Sequence, residues 1–266
     1  MSLQVMAVLG RIRDADLHRE GGIRCLRLFG ACRDVLDGLR RETALLRARA
    51  APSCPGEPGH VTAWTRPRGR VAQYSLLTAS GRYDDFSRDH DLSSFGKRFW
   101  EADRYPLLAS LVGALPDLVN VRLLVLAPGA ALPPHEEHAL VRADSGTIGV
   151  RARFHLPLET EPAATITLDG AVYHLEAGTI HLVNHGCVHA AENAGTADRV
   201  HLVWDQLMTL DAATVMFGQA AGPPGFARLG LVEPSPIGHR PVREWERLAP
   251  PVTEAEAAKL AFLRPQ

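Results

Sequence analysis

From residue 120 to residue 208 the chain breaks into short β-rich runs: "NVRLLVLAPG", "GVRARFHLPLE", "ATITLDGAVYHLEAG", "IHLVNHG" and "DRVHLVWDQLM". Each is bounded by Gly, Pro, Asn or Asp, the residues that turn a chain. Several such strands at close spacing predict an antiparallel sandwich or barrel. "LDG" at 168–170 is the expected hairpin turn.

The flanks have a different texture. Residues 32–50, "CRDVLDGLRRETALLRARA", carry apolar side chains at helical spacing between charges and predict a surface helix. The Pro/Gly-rich 51–60 predicts a loop, and "VAQYSLLTA" (71–79) a strand. "SGRYDDFSRDHD" reads as a solvated polar connection, and 95–116 as helical with a break before Pro106. After 209 the pattern loosens, apart from a short helix in "TEAEAAKLAFL" capped by Thr253. The expected organisation is a helical and mixed part over 1–119 that packs on the barrel, a β core over 120–208, and an extension over 209–266 near its entrance.

Composition narrows the function classes. With 29 basic and 30 acidic residues the formal charge is −1, which leaves no footprint for nucleic acid or an anionic membrane. No run approaches the roughly 20 apolar residues that span a bilayer. The start carries only a short apolar stretch, soon interrupted by charge, so no signal peptide is expected. Cys25, Cys32, Cys54 and Cys187 form no CxxC pair and no zinc spacing, as expected for free thiols in the cytoplasm.

The chemistry concentrates in three places. "PPHEEH" sets two histidines and two carboxylates in consecutive positions after an apolar strand. Its histidines lie three apart and follow two prolines, which excludes the helical HExxH zinc site. In extended chain, His135 and Glu137 point the same way, two thirds of the facial triad that binds non-haem Fe(II). A third ligand must come from "HLVNHGCVHAAENAG", which offers His181, His185 and His189. Arg199, ten residues past His189, opens an apolar strand and needs a carboxylate, from the protein or from a ligand. Finally, Arg151, Arg153 and His155 alternate with Ala152, Phe154 and Leu156. One face of that strand packs and the other presents donors suited to anions.

In this order the stretches "VRLLVLAPG", "PPHEE", "RFHLPLET" and "LEAGTIHLVNHGCVHAAENAGTADRVHLVWD" resemble the aspartyl/asparaginyl β-hydroxylase family of Fe(II)/2-oxoglutarate-dependent oxygenases, which includes bacterial proline cis-hydroxylases. The R-x-H-L-P-L element and the His189–Arg199 spacing are the most specific parts. The resemblance implies a mainly β fold with flanking helices, built on a double-stranded β-helix, the jelly-roll or cupin-like barrel. It implies His135 and His189 as iron ligands and Arg199 as the clamp on 2-oxoglutarate. Arg153 and His155 would lie beside 2-oxoglutarate or the substrate's carboxylate, and Arg151 would face the substrate. Apart from the resemblance, Arg122 opens an apolar strand and so wants a partner, and it is expected to line the pocket at the substrate. The family usually carries H-x-D. This chain has Glu137 as the expected carboxylate ligand, with Glu136 and His138 as alternatives, and the long segment 138–150 is expected as a lid or substrate loop.

The implied reaction uses Fe(II), O2 and 2-oxoglutarate to hydroxylate an unactivated C–H of an amino acid, free or attached to a peptide or carrier protein, releasing succinate and CO2. Two alternatives share the barrel. A cupin-type metal-dependent dioxygenase or isomerase fits "GTIHLVNHGCVHAAEN", although the second histidine of the first cupin motif is missing and no cupin needs Arg199. A non-catalytic binding barrel is the other.

Overall fold

A computed structural model describes residues 3–54, 67–93 and 95–264. Helix α1 (Leu3–Asp16), strand β1 (Cys25–Ala31), α2 (Arg33–Arg49), β2 (Val71–Ser75) and α3 (Pro106–Gly113) come first. There follow β3 (Leu118–Leu126), β4 (Ala131–His135), β5 (Leu140–Arg142), β6 (Ile148–Glu159), β7 (Ala164–Leu168), β8 (Ala171–Tyr173), β9 (Thr179–Val183), β10 (His189–Asn193) and β11 (Arg199–Leu207). Helix α4 (Leu210–Phe217), β12 (Phe226–Val232) and α5 (Glu254–Ala257) complete the named elements.

The strands form two antiparallel sheets. One runs β12-β1-β9-β6-β11-β3-β2, with β5 paired to β6, and the other runs β8-β7-β10-β4 with Gly238–His239 beside β8. Eight strands, β3, β4 and β6 to β11, therefore interleave as β9-β6-β11-β3 facing β8-β7-β10-β4. That is the strand order of a jelly roll, the double-stranded β-helix expected from the sequence. Leu124, Leu126 and Val203 of the larger sheet meet Ala191 and Leu132 of the smaller one in a shared apolar cluster.

The central strands of the larger sheet, β9, β6, β11, β3 and β2, are buried on both faces, because the flanking helices cover their back. Phe154 and Trp204 stack at 5.6 Å there, in the same cluster as Leu9, Leu39, Leu108 and Phe217 from the four long helices. Alternation along β6 thus sends Ala152, Phe154 and Leu156 to the helices and Arg151, Arg153 and His155 to the barrel interior. Local chemistry fixes the corners. Asp169 and Gly170 take positive φ (44° and 80°) between β7 and β8, the two-residue hairpin turn expected at "LDG". Buried Glu42 of α2 accepts the backbone N–H groups of Leu107 and Leu108 at 2.9 Å each, capping α3 with a negative charge.

Three expectations change. The helix expected over 95–116 is confined to Pro106–Gly113. Upstream, Lys97 Nζ donates instead to the carbonyls of Asp91 (2.8 Å), Arg88 (3.3 Å) and Val119, tying the chain down as irregular structure. The "SGRYDDFSRDHD" connection is not solvated throughout, since Asp89 is buried and lies 3.4 Å from Arg122. The long segment after the first metal-type histidine folds as a hairpin, with β5 paired in register on β6. The expected loop over 51–60 lies mostly outside the described residues.

Candidate metal centre and anion pocket

His135 closes β4 and His189 opens β10, and antiparallel register sets them directly opposite one another. Their ring centroids are 4.2 Å apart. Each ring is turned by the backbone carbonyl two residues earlier: His135 Nδ1 lies 2.8 Å from Pro133 O, and His189 Nδ1 lies 2.9 Å from Cys187 O. A carbonyl can only accept, so each Nδ1 carries the proton and Nε2 is the ligand atom. Glu137 brings Oε1 to 4.0 Å from His135 Nε2. One ligand atom from each of His135, Glu137 and His189 lies within 4.8 Å of the others.

The other two residues of the "HEEH" run turn away. Glu136 Oε1 lies 2.6 Å from His18 Nε2, and Oε2 accepts the backbone N–H of Leu248. His138 Nδ1 lies 3.6 Å from Asp16 Oδ2, and that carboxylate raises the imidazole above its usual pKa. Asp16 also accepts the N–H groups of Ala139 (2.7 Å) and Leu140 (3.2 Å). Alternation therefore answers why four polar residues stand together: two face a metal position, and two anchor their loop to the end of α1 and the C-terminal segment.

Glu137 is held as an anion. Its backbone N–H donates to His185 O at 3.1 Å, and its carboxylate accepts Arg153 Nη1 at 3.1 Å and Nη2 at 2.8 Å. Burial alone would raise its pKa, but Arg153 and His185 hold it well below the usual carboxylate range. The other edge of Arg153 meets Asp205, Nε to Oδ1 at 2.7 Å and Nη2 to Oδ2 at 3.0 Å. Asn120 Nδ2 donates to Asp205 at 3.1 Å, and Arg122 Nη2 lies 3.4 Å from it. Arg151 contacts His138 O at 3.2 Å, His90 Nδ1 at 3.3 Å and Glu137 Oε2 at 3.7 Å. The histidines stay neutral: burial, and then His135, push His189 down to about 3, and burial lowers His135.

Arg199 has no such company. It opens β11 opposite Leu126, is 1% exposed, and has neither Nε nor Nη1 hydrogen-bonded among the described residues. Desolvation alone drags its pKa down to about 9. One pocket is walled by His135, Glu137 and His189, by Arg153 and His155, and by Arg199. Asp89, Asp205 and Glu137 thus answer Arg122, Arg151 and Arg153, whereas Arg199 lines the same pocket without a counter-ion among the described residues.

All eight residues singled out in the sequence are therefore gathered around one cavity or its mouth. His181 and His185, the competing ligands, serve structure: His181 Nδ1 lies 2.9 Å from Thr179 O, and His185 Nε2 lies 3.1 Å from His138 O. The sequence reading missed Gln73 on β2, which lines the pocket with a buried Oε1 unbonded among the described residues, and the pairing of Asp89 and His90 with the arginines. Gln73 carries no local signal. The Asp89–Arg122 pair spans thirty-three residues and leaves none either.

Residues 90–208 match the aspartyl/asparaginyl β-hydroxylase family. The resemblance expected from "PPHEE", "RFHLPLET" and the His189–Arg199 spacing is borne out over that stretch. No curated protein matches the chain. Among solved structures it is similar to a Pseudomonas putida prolyl-4-hydroxylase, with 16% identity over 76% of this chain and 99% of that one and a TM-score of 0.43. A 2OG-Fe(II) oxygenase family protein from Burkholderia pseudomallei shows 8% identity over 62% and 77%, with a TM-score of 0.40. HygX of Streptomyces hygroscopicus, solved with nickel, 2-oxoglutarate and hygromycin B, shows 11% identity over 86% and 98%, with a TM-score of 0.42. The jelly-roll assignment rests on the strand order itself. The family match and the His135–Glu137–His189 cluster support oxygenase chemistry. Two neutral imidazoles and one carboxylate from one face form the donor set of a non-haem Fe(II) centre with open positions.

Proposed function

We propose that the protein is an Fe(II)/2-oxoglutarate-dependent oxygenase that hydroxylates an unactivated C–H of an amino-acid-type substrate. The observation that carries this reading is Arg199, a buried guanidinium without a counter-ion among the described residues, in the pocket that the three candidate metal ligands also wall. An uncompensated buried charge is too costly to keep for packing alone, and a dicarboxylate that also reaches the metal accounts for it.

His135, Glu137 and His189 would hold the iron, and Arg199 would grip the far carboxylate of 2-oxoglutarate through a two-pronged pair. Arg153 and His155 line the wall shared by these two positions and would contact the co-substrate. Arg151 and Arg122 are assigned to the carboxylate of the substrate. Bound iron supplies O2 activation coupled to decarboxylation of 2-oxoglutarate to succinate. The chain's own part is to hold two histidines as Nε2 donors, keep Glu137 ionised, and keep water from the reacting C–H. The substrate is an amino acid, free or carried on a peptide or carrier protein, met in the cytoplasm.

Fe(II) added anaerobically with 2-oxoglutarate is expected to give the weak visible band of the chelate, and Arg199→Ala to weaken it. Amino acids that stimulate succinate release identify the substrate. A metal-loaded protein with no such band at any 2-oxoglutarate concentration overturns the reading and leaves a cupin-type reaction or a binding barrel.

A further inference from the structure

One buried histidine has no part in the site described so far. His201 stands two residues after Arg199 on β11 and faces the barrel interior, so its ring sits beside the guanidinium. Its Nδ1 lies 3.3 Å from His155 Nδ1, the two rings are nearly perpendicular (86°), and its Nε2 is buried with no partner among the described residues. His155 lines the pocket with Arg199. Burial, then the charge of Arg199, keeps both imidazoles neutral.

Two neutral imidazoles meeting nitrogen to nitrogen allow two proton arrangements. If His155 donates, its Nε2 is a bare lone pair, and His201 keeps an N–H that finds no acceptor. If His201 donates, His155 Nδ1 accepts and the His155 proton moves to Nε2, the nitrogen left for a ligand. A carboxylate beside Arg199 tolerates only the second arrangement, because a lone pair aimed at an anion repels it. His181, opposite His155 in register, cannot set this proton. Its own Nδ1–H is committed to Thr179 O at 2.9 Å, so its Nε2 has none to give.

We propose that His201 is a positioning residue, which fixes His155 as the Nε2–H tautomer so that His155 and Arg199 together donate to the far carboxylate of 2-oxoglutarate. This rests on the oxygenase reading above and deepens it. The anion site is then a guanidinium and an imidazole N–H, with selectivity for a carboxylate of fixed reach from the metal.

Two measurements test it. In metal-free protein labelled with 15N-histidine and saturated with glutarate, His155 is expected to show a protonated Nε2 and a bare Nδ1, assigned with His155→Gln. In Fe(II)-loaded protein under anaerobic conditions, His201→Phe is expected to weaken 2-oxoglutarate about tenfold or more by the chelate band, the loss of one well-placed hydrogen bond to a charge. His201→Asn, whose amide can reach the place of Nδ1 with a donor, stays within about threefold of the parent. Fe(II) affinity is unchanged in both. A wild-type protein that holds Fe(II) but gives no chelate band overturns the oxygenase reading and this inference with it. A wild-type protein that binds 2-oxoglutarate, with His201→Phe binding it equally or His155 protonated on Nδ1, overturns the inference alone. If the Phe variant does not fold, the wild-type tautomer and the Asn variant still decide.

Discussion

Arg199 and Arg153 are both buried guanidiniums, and their opposite surroundings predict opposite consequences of substitution. Arg153 is chelated by Asp205 on one side and Glu137 on the other. Asp205→Ala strands that charge, and Arg122 beside it, and is expected to cost about 3–5 kcal/mol in chemical denaturation. Arg199→Met removes a charge that no described residue answers, so the melting temperature of the metal-free protein should hold or rise while its response to 2-oxoglutarate disappears. Burial lowers the proton affinity of Arg199, but a guanidinium stays charged in proteins, so 2-oxoglutarate affinity should be flat from about pH 7 to about pH 8, read by titration.

At the scale of elements, the metal loop owes its shape to α1. Asp16, at the last position of that helix, takes the N–H groups of Ala139 and Leu140, just beyond Glu137. Asp16→Ala leaves two buried donors unmet and is expected to destabilise by about 1–3 kcal/mol. Because the freed loop carries Glu137, Fe(II) affinity should fall as well. Arg142→Ala, which breaks an exposed, solvent-screened pair with Glu256 at the β5 hairpin, should leave both Fe(II) affinity and stability essentially unaltered. Equal losses of metal affinity in the two variants would contradict this role for α1. Sequence periodicity marked β6 and β11 well, since one face of each must pack on helices. It could not mark α1 as a support, because the Asp16 contacts span more than a hundred residues.

Across the whole molecule, the barrel lies between flanking segments that reach its mouth from three directions: His18 from behind α1, Asp89 and His90 from the segment before α3, and Leu248 from the C-terminal stretch. Opening the site to solvent therefore requires more than local fraying. The free thiols report on this. Cys32 is exposed, whereas Cys25 and Cys187 are buried, with burial pushing Cys25 up to about 12 and Cys187 well above its usual value. Cys32 should react rapidly with a thiol reagent in the native protein, and Cys25 and Cys187 only as fast as the core opens. Cys187 also supplies the carbonyl that orients His189. Fe(II) and 2-oxoglutarate together should slow its labelling in proportion to the stability they add, measured by mass spectrometry of quenched samples.

The sequence alone marked most strands of the barrel, the "LDG" turn, His135 and Glu137 on one side of an extended chain, and Arg199 as an arginine that needs a carboxylate, because each is written in short-range alternation or in its place along one strand. Only the tertiary structure decided which arginines are answered within the protein, that Glu136 and His138 are anchors, and that Asp89 and His90 close on the mouth. Those outcomes depend on which distant charges meet in a desolvated interior, where an ion pair's strength is set by burial and distance. Neither quantity has a local trace in the order of residues.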